Sequence, residues 1–290
     1  MKTLLLVVAV FAMMFPSFGR TAEFNSSLIS VTTRGSGPDL VLIHGLASSS
    51  KVWSGIEDHL NTAHRLHFID INGFAGNKAS DARSESYLLA MRDEVVRYME
   101  TQGLDEPTLL GHSMGGLVSL LVGSASPESI GRIVVVDSLP FHGLMLDPNA
   151  TAEKMKPIAE QIEQKILKMN ESQFEAQAKR SAAMLTKSDD KAELLLEWSR
   201  ASDRDVYAQV MREVMAYDGR EEIADIECPV TVIYAFDEEM PLSEERLHQF
   251  YQDAYAQVDD LGLVQVDDSF HFVMWDQPQA FYARLNEVLD

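Results

Sequence analysis

The chain has 290 residues, enough for one large α/β domain or two small ones and for a sizeable core. Hydrophobic residues make up 46%, an ordinary globular share, and the formal net charge is −21 at pH 7. That balance argues against a nucleic-acid partner, because phosphate binding needs clustered Lys and Arg, and it reads instead as solubility and self-repulsion.

The N-terminus has its own texture. Lys2 precedes the apolar run "LLLVVAVFAMMF" of twelve residues, and "PSFG" follows. Ser17 and Gly19 stand at −3 and −1 of a cut before Arg20, which predicts a signal peptide over residues 1–19. Twelve apolar residues fall short of the roughly 20 that span a bilayer. The expectation is therefore export to a bacterial periplasm or exterior, with no stable membrane anchor after cleavage. Cys228 is the single cysteine, so no intramolecular disulfide can form. It precedes a strand-like run and reads as a buried structural thiol.

After the leader, strand-length apolar runs alternate with segments of helical period. "SLISVTT" (27–33) and "DLVLIH" (39–44) read as strands around the turn "RGSGP", and "SSSKVWSGIEDHL" (48–60) as a helix. A strand at 65–70, a helix at 85–103, a strand at 107–111, a helix over "MGGLVSLLVGSA" and a strand at 131–137 follow. Strands that are continuous apolar runs imply a parallel sheet covered on both faces. From about 140 to 225 the strand runs vanish, and four short helices rich in Ala, Glu, Lys, Leu, Gln and Met are predicted between sheet strands. The alternation returns with "CPVTVIYAF", "ERLHQFYQDAYA", "GLVQVD" and a closing helix, "PQAFYARLNEVL".

"GHSMGG" (111–116) falls between a buried strand and a helix, the context that G-x-S-x-G requires. There a strained turn exposes the Ser113 hydroxyl, and other backbone passes so close that Gly111 and Gly115 must lack side chains. The following helix N-terminus favours developing negative charge. A glycine-flanked turn with no chemical role is the plain alternative, and the partners decide between them.

A serine nucleophile needs a base. Of eight histidines, His271 lies in "LVQVDDSFHFVMWDQP", after the last strand and before the closing helix; His142 and His248 have no supporting context. The orienting carboxylate should follow a strand between Ser and His, and Asp237 in "VTVIYAFDEEMP" does so. Asp137, ending "RIVVVD", is the rival one strand earlier. Glu238 and Glu239 serve only in a shifted loop register, and Asp267 and Asp268 read as solvated. An oxyanion hole needs two backbone N–H groups: Met114 follows the nucleophile, and Leu46 follows His44-Gly45 at the end of an early strand.

With these residues assembled, the chain resembles an α/β-hydrolase with a helical cap. The resemblance covers about residues 28–139 and 226–290, through "LVLIHGLASSSKVW", "GHSMGG", "VIYAFDEEMP" and "SFHFVMWDQP", and places the cap at 140–225. It implies a mostly parallel eight-stranded sheet with helices on both faces and the site at the strands' C-terminal edge. Two departures stand out. "DINGFAGNKAS" replaces the usual D-x-x-G-x-G-x-S loop, and Tyr234 stands where the family often has the glycine of G-x-x-D.

The function expected is a serine hydrolase of carboxylic esters, with Ser113, His271 and Asp237 as triad and Leu46 and Met114 as oxyanion donors. No metal or organic cofactor is implied, and the partner is a small ester or related acyl substrate. Lactone, C–C bond and aminopeptidase chemistry on the same fold stay open, as does a non-catalytic receptor or scaffold. For an aminopeptidase, Glu153, Glu160, Glu163, Glu171 and Glu175 are the available carboxylates. Cap methionines such as Met145, Met155, Met184 and Met211 suit either an apolar acyl pocket or a helix core.

Overall fold

In the computed structural model the described residues are 23–60, 62–80 and 84–290; the leader pattern lies outside them. Strands β1 (Ile29–Gly35) and β2 (Asp39–Ile43) are joined by a turn in which Gly35 and Gly37 take φ of 76° and 127°, open to glycine alone at low cost. The helix expected over 48–60 is broken. A 3-10 turn at Ser50–Trp53 and one helical turn, α1 (Ile56–His59), stand on either side of Gly55, whose φ of 90° interrupts the spiral. Val52, Trp53 and Ile56 are buried nonetheless, so the segment still covers the sheet.

Next come β3 (Arg65–Ile71), α2 (Tyr87–Gln102), β4 (Thr108–His112), α3 (Met114–Ala125) and β5 (Arg132–Val136). Four helices are then inserted: α4 (Ala152–Lys168), α5 (Glu171–Leu185), α6 (Asp189–Ala201) and α7 (Arg204–Ala216). Thr151, Asn170, Ser188 and Asp203 start them, each side chain accepting a hydrogen bond from a first-turn N–H. The core resumes with β6 (Val230–Phe236), α8 (Glu244–Ala254), β7 (Leu261–Asp267), the short α9 (Val273–Asp276) and α10 (Pro278–Leu289).

The strands form one sheet in the order β1-β3-β2-β4-β5-β6-β7, parallel except for β1. Seven strands lie among the described residues, one fewer than the resemblance implied. Alternation along the central strands fills two cores. Val41, Ile43, Leu109 and Val135 pack with α2 and α3, while Leu40, Leu42, Leu110, Val134 and Val136 pack with Trp53, Phe281 and Leu285. Each such side chain contributes roughly 1.5–3 kcal/mol of burial, which is why these strands read as unbroken apolar runs. No described helix is long and apolar enough to cross a membrane.

This arrangement brings the C-terminal ends of β2, β4, β5 and β6 to one edge. Ser113, Asp137 and Asp237 directly follow β4, β5 and β6, and His271 follows β7 by four residues.

Candidate active site

Ser113 links β4 to α3 with φ 55° and ψ −123°, a strained conformation for a residue with a side chain. The surroundings leave it little choice. A Cβ on Gly111 would lie 2.2 Å from the Gly115 carbonyl oxygen, and one on Gly115 would lie 2.2 Å from the Ile43 carbonyl oxygen. The Ser113 N–H donates to Val136 O at 3.0 Å, and Ser138 Oγ donates to Ser113 O at 2.6 Å. The turn is thus held from the neighbouring strand at both its N–H and its carbonyl.

His271 Nδ1 lies 2.7 Å from Asp137 Oδ2. The other carboxylate oxygen of Asp137 accepts from the Ala235 N–H at 3.0 Å and from the Tyr251 hydroxyl at 3.1 Å. The carboxylate is therefore fixed by three donors, two of which do not belong to the imidazole. His112, the residue before Ser113, donates from Nε2 to the His271 carbonyl at 3.0 Å and packs its ring 4.6 Å from that of His271. His271 and Ser113 are thus linked through His112, the last residue of β4.

The sequence expectation paired His271 with Asp237; among the described residues the hydrogen-bond partner of His271 Nδ1 is Asp137, and Asp237 is bonded elsewhere. Its carboxylate is bound by the ammonium of Lys187, which also binds Asp268. Its Oδ1 accepts from the Glu239 N–H at 2.9 Å. Hydrogen bonding from Lys187 holds the Asp237 carboxyl below its ordinary range and pushes the lysine up. The Tyr234 ring, standing where the family pattern has glycine, stacks on Tyr251 at 4.4 Å, and Tyr251 carries the hydroxyl that holds Asp137. A bulky residue at 234 and an acid at 137 thus belong to one arrangement.

Leu46 and Met114, the expected oxyanion donors, sit on facing segments. A Cβ on Gly45 would be 3.0 Å from Ser113 Cβ, so the loop after β2 rests directly on the elbow. Met114 opens α3, where an N–H has no acceptor within the helix. His44 completes the loop. Its Nε2 accepts from the Ile71 N–H at 3.1 Å, so Nδ1 carries the proton and donates to Gly45 O at 2.7 Å. That bond fixes the Gly45–Leu46 peptide by its carbonyl, and the trans geometry leaves the Leu46 N–H on the opposite side.

Burial keeps the supporting histidines neutral. It lowers His44, lowers His112 well below the ordinary value, and takes His142 down to about 4. Among the described residues no group of three or more His, Cys, Asp or Glu side chains could hold a metal ion.

The family model described as alpha/beta hydrolase fold matches residues 38–278. The chain belongs to the alpha/beta hydrolase fold family. Among curated relatives, it is 37% identical over 112 residues to a pimeloyl-[acyl-carrier protein] methyl ester esterase of Aeromonas hydrophila, covering 39% of this chain and 42% of that protein. It is 31% identical over 112 residues to the esterase of the same name from Nitrosomonas europaea, with the same coverage. The chain thus spans about two fifths of the length of the curated relatives it matches. Solved structures show the fold alone. An esterase from Exiguobacterium antarcticum superposes with a TM-score of 0.73 at 17% identity, covering 90% of this chain and 95% of its own. The enol-lactonase from Burkholderia xenovorans gives 0.72 at 17% identity, covering 91% and 98%.

In this α/β-hydrolase, sequence reasoning set aside one group beside the site and overlooked another. His142 lies on the 3-10 turn that leaves β5, buried, with Nε2 3.4 Å from Ser138 Oγ and with no partner for Nδ1 among the described residues. Tyr251 sits on α8, 114 positions from the aspartate it contacts. Neither belongs to a local motif. The five inserted-helix carboxylates named from the sequence fall into two groups. Glu163 and Glu175 pair with Arg212 and Arg200, while Glu153, Glu160 and Glu171 are exposed.

Proposed function

We propose that the protein is a serine hydrolase that cleaves carboxylic esters through an acyl-enzyme. Ser113 Oγ attacks the ester carbonyl while His271 accepts its proton and then delivers it to the leaving alcohol. Water repeats the sequence to release the acid. Asp137, not Asp237, holds the imidazole with its proton on Nδ1 and stabilises the imidazolium. The Leu46 and Met114 N–H groups stabilise the tetrahedral oxyanion. Helices α4–α7 act as the cap.

The observation that carries this reading is the 2.7 Å contact between His271 and Asp137 at the sheet edge where Ser113 is held at φ 55°. The curated relatives named as methyl ester esterases support an ester as the substrate class. A receptor or scaffold would have no physical need for a strained serine beside an oriented histidine. A fluorophosphonate probe should label the wild type and leave Ser113→Ala unlabelled. Hydrolysis of a p-nitrophenyl ester should fall by up to ~10⁶-fold in kcat in that variant. An unlabelled wild type, or Ser113→Ala hydrolysing at the wild-type rate, would refute the reading.

A further inference from the structure

We infer that the Tyr251 hydroxyl is a positioning group that sets how strongly Asp137 stabilises the protonated His271 ring, and so the pH at which the enzyme switches on. The inference rests on the reading of Asp137 as the triad acid. Tyr251 lies on α8, buried, and donates to Asp137 Oδ1 at 3.1 Å while His271 holds Oδ2 at 2.7 Å. Two oxygens of one carboxylate share one negative charge. Every hydrogen bond given to Oδ1 withdraws density from the oxygen that faces the imidazole, so a donor there weakens the attraction for the imidazolium.

The donor is secured. Stacking against Tyr234 at 4.4 Å fixes the ring, and the Tyr234 hydroxyl is in turn 2.8 Å from His248 Nδ1. Burial, with Asp137 beside it, pushes the Tyr251 phenol well above its ordinary value, so it stays a donor through the working range. The other groups around the pair come from each neighbouring element. His112 on β4 stacks on His271, His142 approaches from the turn after β5, and Tyr255 at the end of α8 donates to Ser138 O at 2.9 Å. Lys187, from the α5–α6 connection, is committed to Asp237 and Asp268. Burial holds His112 and His142 neutral, His142 down to about 4, so neither changes charge near neutrality.

The test is the acid limb of kcat/KM against pH for an uncharged p-nitrophenyl ester. Tyr251→Phe keeps the stacked ring and removes the donor; the limb should move to higher pH by about half a unit to one unit. Replacing Tyr251 by a ring-difluorinated tyrosine keeps the shape and strengthens the donor, and the limb should move the other way. Tyr255→Phe on the same side should leave it in place. If Tyr251→Phe fails to fold, the fluorinated protein decides alone. A limb unmoved by fluorination, or moved upward, overturns the inference while the esterase reading stands. Wild-type activity in Asp137→Asn would instead remove Asp137 from the triad, and the inference with it.

Discussion

His271 Nδ1 stands 2.7 Å from Asp137 Oδ2, while Asp237, at the end of the adjacent strand, is taken by Lys187. Both carboxylates follow parallel strands that pair through Val136 and Ile233. The two carboxylates thus differ in partner: Asp137 takes the imidazole and Asp237 the ammonium.

Asp137→Asn should therefore lower kcat on the order of 10⁴-fold, because the amide favours the wrong imidazole tautomer. Asp237→Asn should keep kcat within its order of magnitude. Ester hydrolysis at about pH 7 to 8 compares them where an imidazole base is neutral. Thermal melts must accompany the rates, since Asp137 also satisfies the Ala235 N–H. A large loss confined to Asp237→Asn would return the acid to β6.

Lys187 ties the inserted helices to the loop that carries His271. Thr186 Oγ1 and the Lys187 N–H donate to Asp276 at 2.6 and 3.0 Å, and the Phe272 N–H donates to Leu185 O at 3.0 Å. Among the described residues, Lys187 is the one cation lining an acidic groove of about 530 Å³ that also holds Asp237, Glu238, Glu239, Glu244, Asp267 and Asp268. Lys187→Met removes the cation from among those six carboxylates. Tm should fall by about 2–4 °C, and added salt should recover part of the loss by screening. The order of magnitude of kcat should survive, because the His271–Asp137 pair is untouched. An unchanged Tm would show that the bridge contributes nothing measurable.

Acid should destabilise the fold before the carboxylates titrate. His142 binds its proton at about 4 when folded, against an ordinary value of 6.5. Between these values the unfolded chain holds more protons than the folded one, so stability is lost as pH falls. The interval corresponds to about 3 kcal/mol for this one residue, and His44 and His112 act in the same direction. Denaturant unfolding at a series of pH values from about 7 to 4.5 should show the decline. His142→Gln, which cannot titrate, should flatten part of it. A pH dependence identical to that of the wild type would show that His142 is not buried neutral.

Much of this was legible in the chain because local rules coincided with the fold. Apolar runs such as "LVLI" and "RIVVV" are strands buried on both faces, and Gly111 and Gly115 of "GHSMGG" are required by carbonyl oxygens 2.2 Å from where a Cβ would stand. The helix expected at 48–60 failed at Gly55, whose positive φ no periodicity reveals. The carboxylate that contacts His271 was not the one expected, for a different reason. Asp137 and Asp237 are equivalent in local sequence, each ending an apolar strand. What separates them is long-range: a lysine 50 positions before Asp237, and a tyrosine 114 positions after Asp137.

The pairing of β5 with β6 has a consequence for how such a site can change over generations. Neighbouring parallel strands lie only ~4.8 Å apart, so their ends present two sockets within reach of one histidine loop. A lineage with carboxylates in both can transfer the orienting duty from one to the other while serine, histidine and oxyanion loop stay where they are. The carboxylate without the histidine is then free for other work, and in this protein Asp237 pairs with a lysine from the α5–α6 connection. Ancestors and descendants of such a protein would carry the same reaction on different strands, and an alignment of their acids by position alone would pair residues that no longer share a task.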